Sequence, residues 1–259
     1  MREFDLSLIR SRLSDESLGF HVERDFYSKE EISVYRAQCE DFLKKGTRIQ
    51  ERIMRDRTPD YVHPRSHDQK NRTNRIYQYL SNHENDSVGR FLGKALELRD
   101  EIEQGWLDVP GYSRERARLM DYVIVTQYLG EVGMLPRHRD YSGVAPCPLI
   151  QFWVALTEPG IDYGKGNLIL YSKNGKSRRA ETDLKLHAGD ALIFDKSLEH
   201  EVELTTDLSG TAKGRWTVLI GARAPRDSIL GAARKRLLYG PPLYALLRKG
   251  SRLKKRLMG

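Results

Sequence analysis

Arg137-His138-Arg139-Asp140, then Leu198-Glu199-His200, then Gly214-Arg215-Trp216-Thr217 carry the reading of this chain. His138 and Asp140 are two apart, so on a strand both side chains point to one face. Pro136, just before them, marks a strand end or the start of a loop. Gly189-Asp190-Ala191-Leu192-Ile193-Phe194 reads as a turn leading into a buried strand, and His200 follows at or after its exit. Two histidines and one carboxylate can occupy one face of an octahedral ion and leave the other positions open. Arg215, fifteen positions after His200, suggests an anchor for a carboxylate.

Each of these residues also has a plainer use. His200 could bond to Glu199 or Glu201, Asp140 could pair with Arg137 or Arg139, and Arg215 could pair with any acid. A lone His-x-Asp recurs by chance. Weight comes from the ordered set: a β-rich lead-in, His-x-Asp, a Gly-Asp turn, the second His, then Gly-Arg-x-Thr.

The surroundings read as β structure. Tyr122–Leu129 and Leu149–Leu156 are rich in β-branched and aromatic residues, and shorter runs follow at Asn167–Tyr171, Ala191–Phe194, His200–Leu204 and Trp216–Gly221. Pro159-Gly160, Asn174-Gly175 and Ser209-Gly210 supply turns between them. Short strands at this spacing, after a helical N-terminal third, predict an antiparallel barrel or sandwich with helices packed outside.

Upstream, residues 1–18 are polar and weakly patterned, and Gly19–Asp25 alternates like a short strand. Ser28-Lys29-Glu30-Glu31 is a capping box for a helix with Ile32, Tyr35, Cys39, Phe42 and Leu43 on one face and Gly46 at its end. Ser87 is expected to cap a second helix with Val88, Phe91, Leu92, Ala95, Leu98 and Ile102 as its stripe. Residues 47–74 read as a long polar loop. Within it, His63 and His67 stand as an i, i+4 pair that could bind metal on a helix; solvated loop residues are the commoner outcome.

The 259-residue chain is 39% apolar, enough for one sizeable core, and its net charge is +8. Residues 228–259 hold nine basic and no acidic residues, so the first 227 residues sum to −1. Basicity belongs to the tail and is poor support for a nucleic-acid-binding core. The tail reads as one or two short helices broken at Gly240-Pro241-Pro242. It could lie on an anionic membrane, but a solvated basic end is the plainer reading. Without an 18-residue apolar run or a secretory signal, and with only Cys39 and Cys147 outside any CxxC pattern, a cytoplasmic protein is expected.

The stretch from His138 to Thr217 resembles the double-stranded β-helix core of Fe(II)/2-oxoglutarate-dependent oxygenases. Residues Gly19–Ile32 resemble the opening strand and helix of the phytanoyl-CoA dioxygenase branch, so the likeness spans most of residues 19–223. It implies a mainly β, jelly-roll or cupin-like core over about 120–223, with flanking N-terminal helices and the basic tail beyond a single domain ending near residue 227. His138, Asp140 and His200 would bind iron. Arg215 would take the distal carboxylate of 2-oxoglutarate bidentately, with Thr217 sharing it. Gln127 would contact co-substrate or substrate, Gln151 and Trp153 would line the pocket, and Arg223 is a second candidate anchor; Trp153 is equally plain core. O2 is the second co-substrate, and the expected products are succinate, CO2 and an oxidised small polar metabolite. Asp140, absent from related halogenases, points to hydroxylation, desaturation or ring formation.

Three rivals are weaker. A nucleic-acid demethylase of the same superfamily usually has a second arginine six residues after the first, and position 221 is Gly. A non-catalytic cupin-like binding protein would not need the whole ligand set. A zinc hydrolase could use two His and one Asp but would not need Arg215.

Overall fold

A computed structural model describes residues 4–49, 59–67, 71–83, 85–106, 120–140, 150–208 and 214–223. The capping box closes as expected: Ser28 Oγ accepts from Glu31 N, Glu31 Oε2 accepts from Ser28 N, and helix α2 runs Lys29–Lys45 with Gly46 as its C-cap. Helix α3 covers Ser87–Trp106. Its cap is Asp86 rather than Ser87, because Asp86 Oδ1 accepts from Gly89 N at 2.8 Å. A first helix, α1 (Leu6–Ser14), lies where no pattern was expected; Asp5 caps it, and only Ile9 and Leu13 of the helix are buried.

Eleven strands form two antiparallel sheets among the described residues. They are β1 (Phe20–Glu23), β2 (Tyr61–His67), β3 (Asn71–Tyr79), β4 (Met120–Tyr128), β5 (Leu135–His138), β6 (Ile150–Ala155), β7 (Leu168–Tyr171), β8 (Ser177–Arg179), β9 (Ala191–Asp195), β10 (Glu199–Val202) and β11 (Arg215–Arg223). The larger sheet has the order β1-β9-β6-β11-β4-β3-β2, the smaller β5-β10-β7-β8. The polar stretch expected to be a loop is therefore largely the β2–β3 hairpin, in register from Tyr61 opposite Tyr77 to His67 opposite Asn71. His63 sits on a strand, its Nδ1 bonded to Ile49 O at 2.9 Å, so the helical metal-pair geometry is absent.

Alternation sorts the large sheet into two faces. Val125, Phe152, Val154, Ile193, Val218 and Ile220 pack with the helices in one core, and Phe91 is stacked between Tyr27 and Tyr35 at 3.9 and 4.0 Å. Trp153, Ala155, Leu192 and Phe194 face the other way and pack with Leu168, Leu170, Leu198 and Val202. Several of these come from the small sheet, so the two sheets face each other in a β-rich, jelly-roll-like body. The candidate site opens between them. No helix among the described residues is long and apolar enough to cross a membrane. The basic tail lies outside the described residues, as does Cys147.

Candidate metal centre

β5 and β10 pair antiparallel with His138 opposite His200, which sets the two rings 4.3 Å apart between centroids. Asp140 follows β5 by two residues. Ligand atoms of all three residues lie within 4.8 Å of one another. His138 Nε2 is 3.6 Å from Asp140 Oδ1, and His200 Nε2 is 3.5 Å from Asp140 Oδ2. An octahedral face with bonds of about 2.1 Å has edges of about 3 Å, so the cluster is slightly wider than a closed site.

The second nitrogen of each ring tests the fit to a metal. His138 Nδ1 lies 2.8 Å from Pro136 O, and His200 Nδ1 lies 3.2 Å from Leu198 O. A carbonyl only accepts, so in each neutral ring Nδ1 carries the proton and Nε2 presents its lone pair. Carbonyl-fixed imidazoles with converging Nε2 atoms suit metal ligation. The plainer partners are otherwise engaged. Glu199 accepts from Arg137 and Arg139, and Glu201 accepts from Tyr171 Oη at 2.6 Å.

Burial opposes the charge of Asp140, but the facing Nε2 atoms of His138 and His200, which donate only when the rings are protonated, and the amide of Gln151 outweigh it and hold the carboxyl of the metal-free site well below the usual carboxylate range. Gln151 Nε2 donates to Asp140 Oδ2 at 2.6 Å. The donor set is thus one anion and two rings, suited to a divalent ion with open positions. His138 and Asp140 side chains are each 33% exposed and His200 only 4%, so the cluster is approached from the β5 side. The ring of Phe194 meets His200 edge-on at 5.3 Å.

Arg215, Thr217, Trp153 and Tyr128 share the face between the sheets: Arg215 stands opposite Tyr128 and Thr217 opposite Ala155. Gly214 precedes Arg215 with φ +62°, and a Cβ there would lie 2.0 Å from Tyr128 O, so only glycine lets β11 start at this point. The guanidinium of Arg215 is fully buried and already paired. Its Nε and Nη2 donate to Glu181 Oε1 at 3.0 and 2.7 Å, and its carbon lies 4.8 Å from the Trp153 ring. The edge expected to receive a co-substrate carboxylate is therefore held by Glu181, whose Oε2 also accepts from Leu168 N. Trp153 is packed beneath that ion pair.

Gln127 does not reach this space. It stands opposite Trp216 and Asn74 on the helix-facing side, and its Oε1 accepts from Asn74 Nδ2 at 2.8 Å. Tyr128, one residue on, holds the interior position. Arg223 ends β11, and its side chain lies outside those described. Three interior residues carried no recognised signal: Tyr128, Glu181 and Arg75. Arg75 directly follows the stretch read as a loop, and the β-rich Ile76-Tyr77-Gln78-Tyr79 beside it marks a strand.

No family model and no curated protein sequence matches the chain. Among solved structures, a prolyl-4-hydroxylase from Pseudomonas putida aligns with a TM-score of 0.58 at 15% identity, covering 84% of this chain and 98% of that one. The non-heme alpha ketoglutarate dependent epimerase SnoN from nogalamycin biosynthesis aligns with a TM-score of 0.51 at 12% identity, covering 84% and 82%. AviO1 from Streptomyces viridochromogenes Tue57 aligns at 0.50 and 15% identity, covering 87% and 98%. At such identities the likeness is one of fold.

Proposed function

We propose that the chain is an Fe(II)- and 2-oxoglutarate-dependent dioxygenase that hydroxylates an unactivated C–H of a small polar metabolite. The observation that carries this reading is the convergence of His138 Nε2, His200 Nε2 and the Asp140 carboxylate, each ring fixed through Nδ1 by a backbone carbonyl. The fold likeness to an alpha ketoglutarate dependent epimerase supports it. The two sheets are read as a double-stranded β-helix, and the opening β1 and capped α2 as those of the phytanoyl-CoA dioxygenase branch.

The bound iron would couple oxidative decarboxylation of 2-oxoglutarate, to succinate and CO2, to oxidation of the substrate by O2. The chain's own residues do the positioning. His138 and His200 keep their lone pairs aimed at one point. Gln151 steadies Asp140 from behind. Phe194 closes the apolar side against His200, which restricts water there. The partly exposed side of His138 and Asp140 is left for substrate.

Anaerobic addition of Fe(II) and then 2-oxoglutarate tests the proposal. A visible charge-transfer band should appear in wild type and vanish in His138→Ala. Absence of both that band and succinate formation in wild type rejects the reading.

A further inference from the structure

Three arginines are buried among the described residues: Arg75, Arg99 and Arg215. Arg99 pairs with Asp100 at 2.8 Å, and Arg215 pairs with Glu181 at 2.7 Å. Arg75 differs. It is 9% exposed, its Nε has no hydrogen-bond partner, and no carboxylate pairs with it among the described residues. A buried guanidinium without an anion is costly to keep, and ligand sites are where such groups persist.

Its position follows from register. Arg75 on β3 stands opposite Thr126 on β4, which stands opposite Thr217 on β11, so Arg75 points between the sheets. Tyr77 and Tyr61 stack at 4.9 Å on the same face and wall its outer side. It is a buried cation on the face between the sheets, in one row with Thr126 and Thr217, and no carboxylate among the described residues pairs with it.

Resting on the iron and 2-oxoglutarate reading, we propose that Arg75, rather than Arg215, receives the carboxylate by which 2-oxoglutarate is anchored beyond the metal. The Nε/Nη2 edge of Arg215 is spent on Glu181, leaving only Nη1 without a partner. Displacing Glu181 would strand a buried carboxylate. Charge balance points the same way. A divalent ion and Asp140 leave one positive charge, 2-oxoglutarate brings two negative charges, and Arg75 restores neutrality. The Arg215–Glu181 pair is neutral already.

The test titrates 2-oxoglutarate into the full chain loaded anaerobically with Fe(II), reading Kd from the charge-transfer band. Arg75→Leu should weaken 2-oxoglutarate by about ten- to a hundredfold, as loss of a charge-assisted pair does, while leaving the Fe(II) affinity unchanged. Arg75→Lys should recover part of the loss, separating lost charge from lost folding. Glu181→Gln should leave Kd near the wild-type value. The proposal falls if Arg75→Leu binds 2-oxoglutarate as wild type does. It falls equally if Glu181→Gln tightens binding, which would make Arg215 the anchor with Glu181 as its competitor. In both cases wild type still forms the band, so the iron and 2-oxoglutarate reading survives; a wild type with no band overturns both.

Discussion

Gln151 Nε2 donates to Asp140 Oδ2 at 2.6 Å, tying the middle of the large sheet to the carboxylate that follows β5. The other amide atom, Oε1, is buried without a partner, so the residue gains little besides this bond. Gln151 was expected to line the pocket, and on that face its side chain bonds to Asp140. Replacing it with Leu should weaken Fe(II) binding by about 10- to 100-fold, the usual effect of losing a partner behind a ligand. Thermal unfolding of the metal-free protein should change little. Equal Fe(II) affinity in Gln151→Leu would show that Asp140 orients itself.

The two histidines should separate in stability although both are proposed metal ligands. His200 is buried against Phe194, whereas His138 is a third exposed. His138→Ala should leave the metal-free Tm unchanged, and His200→Ala should lower metal-free stability by roughly 1–3 kcal/mol. Both should lose Fe(II) binding in a calorimetric titration. Identical Tm values would contradict this difference in packing.

Arg215 and Glu181 are 1% and 5% exposed, and each is the other's charge partner. Removing either alone should cost on the order of 3–5 kcal/mol, because the survivor is left buried and unpaired. The double variant Arg215→Met with Glu181→Leu should cost much less than the sum, since no charge is stranded. Urea unfolding of the four proteins in this cycle measures it, and additive losses would show that the pair is not coupled.

His83 is held between Asp60 and Asp86, and the hydrogen bond to Asp60 at 2.5 Å is the main reason its pKa is pushed up to about 9 despite partial burial. The folded value lies above the unfolded one. The pair's contribution, at most about 3 kcal/mol, is therefore complete below about pH 6.5 and fades as pH rises through about 9. Chemical denaturation across that window should show the fall, and Asp60→Asn should flatten it. A stability that stays level from pH 6.5 to 9 in wild type would rule out this linkage.

Much of the architecture was legible because it is local. The capping box at Ser28 and Glu31, the stripe from Val88 to Ile102 and the β-rich runs after residue 120 each record a period within one element. The β2–β3 hairpin was not legible. Its polar residues, including His63, are tolerated because one face meets the space between the sheets, so hydropathy read most of it as a loop. Helix α1 was missed for a related reason: two buried side chains make too narrow a stripe.

The order His138, Asp140, His200 and Arg215, and the kind of chemistry that donor set can support, were determined by the sequence alone, because residue type and two-residue spacing on a strand suffice for that. Only the tertiary structure decided which neighbours they keep. Gln127 and Tyr128 differ by one position, and the pleat sends the first to the helices and the second toward Arg215. Glu181 is 34 residues from Arg215 in sequence and reaches it because the sheets face each other. Register and sheet pairing are long-range outcomes, so the pairing of Arg215 and the isolation of Arg75 could be read only from the folded chain.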